Sequence, residues 1–221
     1  MKFNITLNGV TVSKDIPESW EKVSFKDCLR VATMGNDVVK IVSLFTGIDE
    51  DTLRKAQIHN LDTLIGVLSF LQTEMTYTIP DTIMGYHLPK DLESESIAQY
   101  ADIQEIVSKF DEKDHLKNVE AYPLIAATYC VKPYDFKEAE KIAEQLTNAP
   151  CTEVMAIGNF TLARLLASKL NIPNPFRRAG TPPSRLKRVM ISWLNRLDFT
   201  IRYFSWRKAL PSPVRNYLTG R

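Results

Sequence analysis

What the chain has little of narrows it first. Its 221 residues include only three cysteines, Cys28, Cys130 and Cys151, far apart and never as C-x-x-C. That argues against a disulfide framework and a structural zinc site, and a reducing compartment fits best. None of the eight glycines falls in G-x-G-x-x-G or G-x-x-x-x-G-K, so no phosphate-cradling loop is present. The three histidines, His59, His87 and His115, form no H-E-x-x-H or similar ligand pattern and read as solvated or structural. A G-x-S-x-G elbow is missing too. Cys151, although near an expected helix start that would favour a thiolate, has no local basic partner. The acidic runs at Glu93 to Glu95 and Asp111 to Asp114 lack the alternating carboxylates and loop glycine of a calcium site, and read as solvated helix ends. No catalytic, cofactor-binding or metal-ligating residue is therefore singled out, and a protein that is not an enzyme and carries no cofactor is the expectation. No apolar run reaches the about 18 residues a spanning helix needs, and the first fifteen residues hold no signal-like apolar core, so a soluble protein made in a cytoplasm is expected.

What is there is an ordinary globular composition, 44% apolar, 24% charged and 10% aromatic, which sets aside disorder and low complexity. The net charge of +2 hides a division. Of 28 basic and 26 acidic residues, 11 and one fall from Asn174 onward, giving that segment +10 and residues 1–173 a charge of −8. The expected organisation is an acidic, mostly helical body over 1–173, a proline-rich linker over 174–184 and a basic amphipathic arm over 185–221.

Within the body, Phe3, Ile5 and Leu7, then Val10 and Val12, alternate about Asn8-Gly9, which predicts a β-hairpin with a type I′ turn. Ser24 and Asp27 resemble a capping box opening a helix to about Ala32, with Trp20 upstream as a core anchor. Helices are predicted over about 36–46 with Gly47 as the stop, after Asp49, and over about 61–71. The segments 73–80 and 82–89, with Pro80-Asp81 between them, predict a second small β element. Further helices follow: one capped by Ser96 to about Phe110, one interrupted by Pro123 near Tyr122, one capped by Asp135 with Glu138, and a long amphipathic one starting after Pro150 and ending before Asn171. The fold class is thus α+β and mostly α, with an N-terminal β-hairpin, a helical body with a second small β element, and a C-terminal basic amphipathic helical arm.

Four prolines between Pro173 and Pro183 predict a stiff linker. Beyond it Leu186, Val189, Met190, Trp193, Leu197, Ile201 and Phe204 recur at helical spacing, with Trp206 just after. They form the candidate protein-interaction stripe. Arg177, Arg178, Arg185, Lys187, Arg188, Arg196, Arg202, Arg207 and Lys208 make the segment basic. Each large apolar side chain is worth about 1.5 to 3 kcal/mol on burial, so the stripe needs a cover. Fold-back onto the body, docking on a neighbouring copy or another protein, and contact with nucleic acid or an anionic surface are the three alternatives.

PESWEKVSFKDCL, VVKIVSLFTGIDEDTLRKA and NAPCTEVMAIGNFTLARLL together resemble structural and morphogenesis proteins of tailed bacteriophages of Bacteroidota, the crAss-like phages, across most of residues 17–170. The resemblance implies a virion component assembled in the host cytoplasm: a homo-oligomeric ring or connector of the portal and tail that contacts other virion proteins. A tail assembly chaperone is the alternative within the group, and a nucleic-acid or membrane-surface binder the alternative outside it. DNA contact through the basic arm is compatible with the ring, for which no membrane is expected.

Overall fold

The computed structural model describes residues 2–7, 10–55, 66, 68–89, 95–111 and 114–169, with side chains over 15–165 within those ranges. Residues 61–65 of the predicted 61–71 helix and the whole segment from 174 to 221, including the linker and the arm, lie outside the described residues. The fold is α+β and mostly helical, and its contacts gather into two compact units. Of the described residues, the first takes those up to 23 and 27–75, and the second takes 24–26 and those from 76 to 169.

The first unit begins with the hairpin: β1 (Lys2–Leu7) pairs antiparallel with β2 (Val10–Asp15), and Leu7↔Val10 leaves the two residues expected of the turn. A 3-10 turn at Trp20–Lys22 buries Trp20, whose ring meets Phe70 edge-on at 5.5 Å while its indole N–H donates to the Thr73 carbonyl at 3.2 Å. Phe45 packs edge-on against the same Phe70 at 6.2 Å. The expected core anchor therefore belongs to an aromatic cluster centred on Phe70. Helix α1 (Phe25–Met34) starts directly after Ser24, as the capping pattern indicated, and runs two residues past the predicted end.

Helix α2 (Val38–Thr46) is closed at both ends by local chemistry. The Asp37 side chain accepts from the Lys40 amide at 3.2 Å, a bond that holds its carboxyl below the usual range. At the other end Gly47 takes a left-handed φ of 66°, and its N–H donates to the Ser43 carbonyl at 2.8 Å. Helix α3 (Glu50–Arg54) is capped by Asp49, which accepts from the Thr52 amide at 3.1 Å. At the end of the predicted 61–71 helix, Leu68–Gln72 form a 3-10 turn that buries Leu68, Phe70 and Leu71.

In the second unit the small β element is β3 (Thr82–Ile83) with β4 (Tyr86–His87), turning at Met84-Gly85 and not at Pro80-Asp81. Residues 74–80 form no strand, which corrects the expected first partner. Both turn residues have positive φ, 48° at Met84 and 85° at Gly85, as a two-residue I′-like turn demands. Methionine disguises such a turn because it seldom adopts that backbone.

Helix α4 (Ile97–Ser108) opens with a full capping box: Ser96 Oγ accepts from the Gln99 amide at 3.2 Å and Gln99 Oε1 from the Ser96 amide at 2.7 Å. Proline 123 separates α5 (His115–Glu120) from α6 (Tyr122–Cys130), sitting in the first turn of the latter, where its missing N–H costs nothing. Asp135 caps α7 (Phe136–Leu146), accepting from the Lys137 and Glu138 amides at 2.8 and 3.3 Å. The last described element is α8 (Cys151–Lys169).

Helix α8 is not amphipathic as predicted. Val154 to Asn159 are buried in succession, more than a full turn, so the helix is enclosed around its circumference. Small residues explain this: a Cβ on Gly158 would lie 2.3 Å from the Tyr122 ring, so α6 and α8 approach as closely as a missing side chain permits. The segment 24–26 joins this unit through backbone bonds, Phe25 N–H to the Ala149 carbonyl and Lys26 N–H to the Thr147 carbonyl, both 2.8 Å, beside a bridge of Ser24 with Pro150.

Candidate functional site

Every residue of the expected interaction stripe, Leu186, Val189, Met190, Trp193, Leu197, Ile201, Phe204 and Trp206, lies outside the described residues. So do Arg177, Arg178, Arg185, Lys187, Arg188, Arg196, Arg202, Arg207 and Lys208. The most concentrated polar chemistry among the described residues is elsewhere, in the interior of the second unit, and sequence patterns did not reveal it.

Glu95, just ahead of α4, is not the solvated acid its run suggested. Its side chain is 8% exposed and forms an ion pair with Arg164 of α8, itself 11% exposed. The Tyr129 hydroxyl of α6 completes the group, donating to Glu95 Oε2 at 3.3 Å and accepting from Arg164 Nη2 at 3.4 Å. It lies 3.3 Å from the Thr161 hydroxyl, which donates back to the Ile157 carbonyl at 2.9 Å. Burial pushes the Tyr129 phenol up to about 12, partly opposed by the adjacent guanidinium. Tyr129 therefore keeps its proton near neutrality.

Two further polar contacts reinforce the same helices. The buried Tyr122 hydroxyl donates to Asn159 Oδ1 at 3.0 Å, and burial raises its phenol well above the ordinary value. Gln99, whose Oε1 serves the capping box, donates through Nε2 to the Thr128 carbonyl at 2.7 Å. Outside this layer Tyr134 donates to Asp102 Oδ2 at 2.7 Å and Tyr86 to Gln145 Oε1 at 2.9 Å. Chemically the arrangement is a clasp: it fixes α8 to α6 and to Glu95, ahead of the Ser96 cap of α4.

The residues considered for chemistry are dispersed. Cys28 and Cys151 are buried and in no disulfide among the described residues, and burial pushes the Cys130 thiol up to about 12. His87 and His115 are exposed, and His59 lies outside the described residues. Asp114, from the second acidic run, caps α5 by accepting from the Lys117 amide at 3.1 Å. Among the described residues no group of three or more His, Cys, Asp or Glu is placed to hold a metal ion, and no helix is long and apolar enough to cross a membrane. These features define an α+β, mostly helical chain with an internal ionic clasp. No protein-family model matches it, and no curated protein or solved structure is significantly similar to it.

Proposed function

We propose that the chain is a non-enzymatic structural subunit of a tailed-phage particle, a ring or connector component of the portal and tail that self-associates and docks on neighbouring subunits through its C-terminal segment. The observation that carries this reading is the segregation of charge, −8 over residues 1–173 against +10 from 174 to 221, across a proline-rich boundary. Opposite charges on two parts of one chain favour contacts between copies, steering the encounter and fixing its register. Heterologous contacts close into a ring when the rotation between successive copies closes. The resemblance of residues 17–170 to crAss-like phage morphogenesis proteins supplies the setting, and the clasp around Arg164 gives the body the rigidity a structural subunit uses.

Mass spectrometry of purified particles tests the proposal. The protein should be present in mature virions in many copies. Its absence from mature particles, together with its recovery bound to a tail protein during assembly, would instead identify an assembly chaperone.

A further inference from the structure

Strands β1 and β2 form a two-stranded sheet, and among the described residues no third strand joins it. Each strand therefore has an outer edge of backbone N–H and C=O groups outside the hairpin ladder. Natural sheets usually blunt such edges with bulges, prolines, charges or very short strands. This hairpin has little of that protection. Its pairing runs without a bulge through six residue pairs, from Lys2↔Asp15 to Leu7↔Val10, and neither strand contains proline. The charged residues Lys2, Lys14 and Asp15 are confined to the open end. A two-stranded ribbon is also marginal by itself in water.

We infer that the hairpin is a strand-exchange surface between copies: the outer edge of β1 in one copy pairs antiparallel with the outer edge of β2 in the next. Charge and register identify the occupant as a second copy. Inside the hairpin Lys2 is opposite Asp15. Repeating that register across the boundary places the Lys2 position of one copy opposite the Asp15 position of its neighbour, so opposite charges meet at the open end. It also keeps each residue on its own face, whereas a one-residue slip would reverse the faces. Every copy then offers one edge and receives the other, a heterologous contact that propagates around an axis. This rests on the self-association proposed above and adds a site for it that is independent of the C-terminal segment.

Two measurements on the full-length protein test the inference. Lys2→Asp and Asp15→Lys each place like charges at the boundary and should reduce the assembled fraction at least tenfold by mass photometry. Mixing the two variants should restore assembly, because unlike charges then meet only between unlike copies. In the wild-type protein, amide hydrogen exchange in residues 2–7 and 10–15 should slow at least tenfold when monomers assemble. Wild-type assembly with unchanged exchange in both strands would overturn the hairpin contact while leaving the structural-subunit proposal standing. Two variants that retain the wild-type circular dichroism spectrum but fail to co-assemble would also overturn it. Edge protection already complete in the monomer would assign the edge to another segment of the same chain, and would overturn it too. A wild-type protein that stays monomeric likewise contradicts the inference, whereas its presence or absence in virions judges the subunit proposal separately.

Discussion

In the first unit the elements are short and closed by their neighbours in sequence: Asp37 and Gly47 bracket α2, Asp49 opens α3, and the Trp20, Phe45 and Phe70 cluster reaches far along the chain. In the second unit the decisive contacts are distant, with Glu95 joined to Arg164 across 69 residues and Tyr122 to Asn159 across 37. The first unit is therefore held by caps and aromatic packing, each replaceable at modest cost. The second depends on one enclosed helix whose polar groups are satisfied only if its partners are all in place.

The largest expected effect follows from that dependence. Arg164→Leu leaves the Glu95 carboxylate buried without its guanidinium and should cost about 3 to 5 kcal/mol in urea unfolding. The double replacement Glu95→Leu with Arg164→Leu should recover most of the loss, and a double variant as unstable as the single one would show that the pair is more than a buried charge balance. Next, Gly158→Ala should cost about 3 kcal/mol, because its Cβ meets the Tyr122 ring. A variant of wild-type stability would contradict the close approach of α6 and α8.

Alkali should sharpen the contrast further. Tyr129 and Cys130 bind their protons more tightly when folded, with pKa values raised by burial to about 12. Above the ordinary thiol and phenol pKa values the unfolded chain releases these protons while the folded one retains them. Stability should therefore fall between about pH 9 and 12, by up to about 1.4 kcal/mol per pH unit for each group. Urea midpoints measured from pH 8 to 11 check this, and constant midpoints would contradict it. The smallest effect belongs to the first unit: Asp49→Ala should cost about 1 kcal/mol, read as a small shift of the thermal midpoint.

The same division governs what the sequence made legible. Caps at Asp49, Ser96 and Asp135, the role of Pro123 and the hairpin register were readable because each depends on residues within a few positions. The second hairpin was misplaced because Met84, not a usual turn residue, carries a positive φ. Glu95 was assigned to solvent because its partner lies in another helix far along the chain, and α8 was taken as amphipathic because periodicity does not report how many neighbours enclose a helix. An acid just before a capped helix together with an arginine in an apolar one was the only available hint of the clasp. The site expected in the C-terminal segment rests on charge and periodicity alone.

Self-association through that segment is the central claim, and mass photometry of the full-length protein beside Trp193→Asp tests it most directly. The wild-type protein should populate oligomers, and Trp193→Asp should shift the distribution toward smaller species while leaving the circular dichroism spectrum unchanged. Identical mass distributions for the two proteins would contradict the claim.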